Sequence, residues 1–150
     1  MEWCIDANIA VKTVVKEHLS EKAKALISDA LDTETRLIAP HFFDAEIYGA
    51  IRKKVYTGEI TTKEGDLAFE DLKGLPVELL PTVYLRDRTW EIAKQFRLRW
   101  LYDSFYVAIA EERECLFWTA DMELYNAVKH KLIFVKSLED YRANGTVAAI

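Results

Sequence analysis

Short apolar runs alternate with amphipathic stretches along the whole chain. Residues 2 to 5, the run RLIAP ended by Pro40, VELLP closed by Pro81, LFWTA and LIFV each read as a buried strand. Between them apolar residues recur at helical spacing. One helix, from about Asn8, carries Ile9, Val11, Val14 and Val15; a second, from about Ser20 to Leu31, carries Ala23, Leu26, Ile27 and Ala30. Phe43, Ile47, Ile51 and Val55 recur every four residues, which is one helix face. Thr61 or Thr62 opens the next helix, with Leu67, Ala68 and Leu72 as its apolar face and Gly74 at its end. Further helices are expected over about 83 to 97, 102 to 113 and 122 to 130, and the tail from Ser137 signals weakly.

Strands that are continuously apolar and alternate with helices belong to a parallel sheet covered on both faces. The fold class is therefore α/β. A length of 150 residues without repeats, low-complexity segments or a linker predicts a single domain over residues 1–150.

Composition narrows the function. Hydrophobic residues make up 51% and charged ones 30%, the balance of a globular protein with a real core. Cys4 and Cys115 lie in apolar runs without any CxxC or Cys/His spacing, which predicts reduced, structural thiols rather than a disulfide or a zinc site. No run approaches the roughly 18 apolar residues of a membrane helix. Glu2 and Asp6 break any basic-then-apolar leader, so a cytoplasmic location is expected and no membrane partner. The net charge of −5 argues against a general nucleic-acid coat protein. It leaves room for an enzyme with an acidic pocket. Basic residues cluster at Arg52-Lys53-Lys54, between Arg86 and Arg99, and at Lys129-His130-Lys131, and read as solvated helix faces. Phe43, Phe69, Trp90 and Tyr106 are expected in the core.

Four acids fall where an α/β sheet keeps its ligands, at the carboxyl ends of strands. Asp6 ends the first strand and Asp121 ends LFWTA; Glu46 and Asp103 reach the same edge from helix starts. Asp is also a favoured N-cap and suits the dipole of a first turn, which accounts for Asp103 or Asp121 taken singly. Glu46 is flanked by Phe42, Phe43 and Ile47, and Asp103 by Leu101, Tyr102 and Phe105, so both are expected to be partly desolvated. Gly49, three residues after Glu46, leaves space beside that carboxylate. No Lys or Arg is adjacent in sequence to any of the four. Carboxylates a few ångströms apart repel by several kcal/mol per pair even at an effective dielectric of ~20. Such a cluster makes sense around a hard divalent ion, Mg²⁺ or Mn²⁺, because all-oxygen ligands select those ions.

The run IDANIAVK, the segment PHFFDAE, the helix YDSFYVAIAEE and WTADMEL, in this order and across nearly the whole chain, resemble the PIN domain, specifically the VapC-type toxins. The resemblance implies a three-layer α/β/α sandwich with a mostly parallel five-stranded sheet. It implies a Mg²⁺-dependent endoribonuclease acting on transfer or ribosomal RNA. It places the family's four acids on Asp6, Glu46, Asp103 and Asp121, which would hold the ion. Asn8 and Thr119 match supporting polar positions, although Asn8 serves equally as the N-cap of the first helix. It also implies a homodimer and a small antitoxin partner, whose basic C-terminal segment is expected among the four acids. Ser104 stands where the family commonly has a small apolar residue. Asp44 adds an acid about 200° around the helix from Glu46, outside the expected site.

Other readings meet obstacles in the same residues. A PIN nuclease of RNA maturation or decay would need no antitoxin; the small size of this chain favours the toxin. A phosphoryl-acceptor module of the receiver type needs paired acids after the first strand and a Lys after a late one, whereas Asp6 is single and no Lys follows WTADMEL until Lys129. A DxD phosphatase needs an acid at position 8, which is Asn. A PIN fold kept for interaction alone has no use for four acids.

Overall fold

Five strands form one sheet in the computed structural model: β1 (Glu2–Ile5), β2 (Arg36–Pro40), β3 (Val77–Leu80), β4 (Leu116–Thr119) and β5 (Val135–Ser137). The structure describes residues 1–143 and the backbone of 146–147. The strand order is β3-β2-β1-β4-β5, and every neighbouring pair is parallel. The chain builds outward from β1 to β3, then returns to place β4 and β5 on the other side of β1. That reversal puts a topological switch between β1 and β4, where open α/β sheets form crevices. The expected α/β architecture is the one observed.

Among the described residues seven α-helices connect and cover the strands: α1 (Ala7–Val14), α2 (Ser20–Asp32), α3 (Phe43–Tyr56), α4 (Thr62–Lys73), α5 (Arg86–Phe96), α6 (Leu101–Arg113) and α7 (Met122–Val128). Consecutive residues on a strand face opposite sides of the sheet. Cys4 and Ile5, like Phe117 and Trp118, are fully buried, so both faces are covered and the arrangement is a three-layer sandwich. The start of α4 follows from its sequence. Thr61 and Glu64 form a reciprocal capping box at the start of α4. Cys4 and Cys115 are free thiols. Among the described residues no helix is long and apolar enough to cross a membrane.

Several expectations need correction. The inner face of α4 is Gly65, Ala68 and Leu72, while Leu67 is exposed. A glycine carries no hydrophobic signal, so the apolar pattern takes Leu67 in place of Gly65, two residues earlier. Gly65 sits so close to α3 that a Cβ there would stand 2.4 Å from Val55 Cγ2. The helix expected over 83 to 97 is a 3₁₀ turn (Val83–Leu85) followed by α5, whose buried positions are Thr89 and Ile92. Trp90 and Phe69 are therefore outside the core, unlike Phe43 and Tyr106. The last strand begins at Val135, after LIFV has largely passed, because Leu132 is still tied to Val128 by the turn that ends α7. Beyond it, β6 (Tyr141–Arg142) pairs antiparallel with β7 (Thr146–Val147). Tyr141 is core: its ring meets Trp118 edge-on at 5.1 Å.

Candidate active site

The chain leaves β1 at Asp6 and β4 at Thr119, side by side at the switch point, and the two ends are stitched together. Asp6 N–H donates to Trp118 O at 3.0 Å. Thr119 Oγ1 donates to Asp6 Oδ2 at 2.8 Å and accepts from Asp121 N–H at 3.0 Å. Asn8 Oδ1 accepts from Ala120 N–H at 3.2 Å. Asn8 is thus not the cap of α1. The cap is Asp6, whose Oδ1 faces Asn8 N at 3.5 Å, and Asn8 ties the helix to the end of β4. Asp121 is likewise the cap of α7, with Oδ1 accepting from Leu124 N–H at 3.1 Å. Capping leaves Asp121 with a second oxygen free of that bond.

All four predicted acids line one cavity of about 390 Å³, together with Asn8, Glu17 and Lys54. Thr119 is wholly buried behind it. Asp44 is exposed and outside the cavity, as its helical angle predicts. Gly49 is exposed as well, and a Cβ there would meet nothing within 4 Å. Ala50, not Gly49, lines the cavity beside Glu46.

The electrostatics are those of charge held in a poorly solvated place. Asp6 is 7% exposed. Burial pushes its carboxyl up to about 7, against the stabilising hydroxyl of Thr119, and the charges of Asp103 and Glu46 add to the rise. Asp103 is also pushed up to about 7, by burial first and then by Asp121, Glu46 and Glu123. Glu46 is raised by burial, with the Tyr106 hydroxyl opposing. Asp103 is no cap: α6 starts after Trp100, without a side-chain cap.

Three participants escaped the sequence reading. Tyr106 O–H donates to Glu46 Oε1 at 2.6 Å, so a core ring carries a polar handle into the site. Its position three residues after Asp103, on the same helical side, was the available signal. Among the described residues Lys54 is the one cation lining the cavity, although no Lys or Arg adjoins any of the four acids in sequence. It lies two steps of four from Glu46 through Ala50, a spacing legible in retrospect. Its ammonium is already engaged by Glu17 at 3.2 Å and Glu59 at 2.8 Å. Glu17 also binds Lys12 at 3.3 Å, and it enters only because the loop after α1 folds back toward α3. No sequence signal marks it.

The donor set facing the cavity is all oxygen and strongly anionic, the set that suits a hard divalent cation. Among the described residues no three acid, His or Cys side chains stand as an assembled ligand set. Asp6, Glu46 and Asp121 each answer to a hydrogen-bond donor of their own. The donor chemistry fits such an ion.

Comparison with known proteins agrees with this architecture. The family model of the PIN domain matches residues 3–130, a span holding all four acids. A VapC ribonuclease of Mycobacterium bovis and ribonuclease VapC9 of Mycobacterium tuberculosis are each 31% identical over 120 residues, 80% of this chain and 86% of theirs. Ribonuclease VapC12 of Mycobacterium tuberculosis is 30% identical over 126 residues, 84% of this chain and 92% of its own. The crystal structure of VapBC2 from Rickettsia felis, bound to a DNA fragment from its promoter, shares the fold. Its TM-score is 0.63 at 13% identity, covering 91% of this chain and 98% of that one. With a family match across most of its length and VapC relatives aligned nearly end to end, this chain belongs to the PIN domain family, among its VapC-type members.

Proposed function

We propose that the protein is a divalent-metal-dependent endoribonuclease and the toxin of a toxin–antitoxin pair, cutting RNA of the transfer or ribosomal class. The observation that carries this reading is the convergence of four carboxylates, two of them pushed up to about 7, on one cavity at the sheet's switch point. The relatives named as VapC ribonucleases support it.

In this reading Asp6, Glu46 and Asp103 hold Mg²⁺ or Mn²⁺, and Asp121 completes the set or positions the attacking water. The ion would activate a water and stabilise the oxygens of an in-line displacement at phosphorus. The chain's own residues prepare that site. Thr119 spends its proton on Asp6 and its lone pair on Asp121, fixing the two strand-end acids relative to each other. Tyr106 aims Glu46 across the cavity, and Asn8 holds α1 against the end of β4. Lys54, neutralised by two glutamates, leaves the acids' charge for the ion. The same charge suits a partner's guanidinium, which can fork onto two carboxylates. An antitoxin would thus block cleavage by placing an Arg or Lys from a basic C-terminal segment among the acids.

The test is cleavage of RNA with and without Mg²⁺. Asp6→Asn and Asp103→Asn are expected to abolish cleavage while the protein stays folded. Full activity in either variant removes that residue from the site. For the partner, each basic residue in the C-terminal half of the co-expressed upstream gene product is replaced by Ala. Full inhibition by every such variant rules out the basic plug.

A further inference from the structure

The α5–α6 hairpin carries a surface that the acidic cavity does not explain. Trp90, Trp100 and Tyr102 are 59%, 56% and 56% exposed, unusual for rings of this size unless something covers them. Arg88, in the first turn of α5, forks onto Glu111, near the end of α6, at 2.7 and 2.6 Å. The helices therefore run antiparallel, and the end of α5 lies beside the start of α6, where Asp103 sits. At that end Trp90, Lys94, Arg99 and Leu101 help to line a shallow cavity of about 290 Å³. The Arg99 guanidinium lies over the Trp100 ring, 4.8 Å from its centroid. Arg97 and Arg99 are exposed and form no ion pair among the described residues.

Tyr102 links this surface to the acids. Its ring meets Phe42 at 4.9 Å, Phe42 meets Tyr106 at 5.8 Å, and Tyr106 holds Glu46. Charge points the same way. Residues 83 to 102 carry five basic side chains against two acidic ones, in a chain whose net charge is −5.

We propose that this face is a stacking platform for single-stranded RNA, leading unpaired nucleotides to the acidic cavity. Bases stack on Trp90 and Trp100, while Lys94, Arg97 and Arg99 take the phosphates between them. Stacking on a protein ring needs a base whose face is free, which a duplex does not offer. The specificity assigned is therefore for unpaired loops or ends. A second copy of this chain fits the face less well. A twofold contact would bring together two faces of the same net positive charge, whereas a phosphate backbone complements it. The proposal rests on the ribonuclease reading above.

The other two tryptophans, Trp3 and Trp118, are 5% and 0% exposed, so a change in emission on binding reports Trp90 and Trp100. The full chain is titrated with a short oligouridylate in EDTA, so that binding is read without cleavage. We expect quenching, and a loss of affinity of roughly tenfold for Trp90→Ala and for Trp100→Ala. Trp100→Phe keeps most of the affinity, and Arg99→Ala flattens the slope of log affinity against log salt by about 0.7. With Mg²⁺, Trp100→Ala raises KM and leaves kcat, and a duplex of equal length binds more weakly.

Unchanged affinity in both alanine variants overturns the platform. So does their conversion of a dimer to a monomer, seen by light scattering, with RNA affinity intact, because the face then belongs to a second copy. Quenching that both alanine substitutions abolish, without any metal-dependent cleavage, supports the platform and sinks the ribonuclease reading. Cleavage with KM unmoved in both variants does the reverse.

Discussion

Asp6 and Asp103 are acids held where ionisation is costly, and this gives the metal-free protein a testable pH dependence. Both carboxyls are pushed from 3.8 up to about 7 in the folded chain. Below pH 4 they are protonated in folded and unfolded chains alike, and contribute nothing. Between pH 4 and 7 the unfolded chain releases these protons while the folded chain retains them, so stability falls as pH rises, and the loss is complete above 7. Melting in EDTA is expected to show this decline, and Asp6→Asn should flatten it and melt a few degrees higher at pH 7.5. A lower melting temperature in that variant would mean that the Thr119 hydrogen bond outweighs burial and repulsion. Ser104 offers a second test. Its hydroxyl is fully buried and has no hydrogen-bond partner among the described residues, one residue from Asp103. Replacing it by Ala removes an unsatisfied polar atom, so Ser104→Ala should stabilise the protein by about 1 kcal/mol in urea unfolding.

Helix α4 shows how an element can mislead a pattern. Mid-helix Gly→Ala ordinarily stabilises by about 1 kcal/mol. At Gly65 a new methyl would sit 2.4 Å from Val55 Cγ2. Val55 is β-branched and stiff within α3, so it cannot swing aside freely. Overpacking of this kind costs about 1–3 kcal/mol, which exceeds the propensity gain. Gly65→Ala is thus expected to lower stability by about 1 kcal/mol, and a stabilised variant would show that α3 and α4 part easily. The same contact explains why Leu67 reads as core in the sequence and stands in water in the fold. The stripe that packs is 65, 68 and 72, and its first member has no side chain to announce it. α5 hides its stripe similarly, behind the polar Thr89. Strands gave clearer signals, since a strand buried on both faces is apolar at nearly every position.

At the scale of the whole molecule, an ion that binds only the folded chain raises its stability by mass action. Millimolar Mg²⁺ or Mn²⁺ is expected to raise the melting temperature of the wild type, and to do so far less in Asp6→Asn. No metal-dependent shift would count heavily against the metal site. The sequence by itself determined the α/β class, the number of strands in the main sheet, most helix limits and the placing of four acids at the carboxyl edge of that sheet. These rest on local physics: burial of both strand faces, helical periodicity, and turn or capping residues at the ends. Only the tertiary structure decided that Thr119 is the hinge between Asp6 and Asp121, that Tyr106 reaches Glu46, and that Lys54 and Glu17 share the cavity. It alone put Trp90 and Trp100 outside the core. Those outcomes depend on where separate helices and strands meet, and nothing in a residue's own neighbourhood along the chain encodes the identity of a neighbour 50 or 100 positions away.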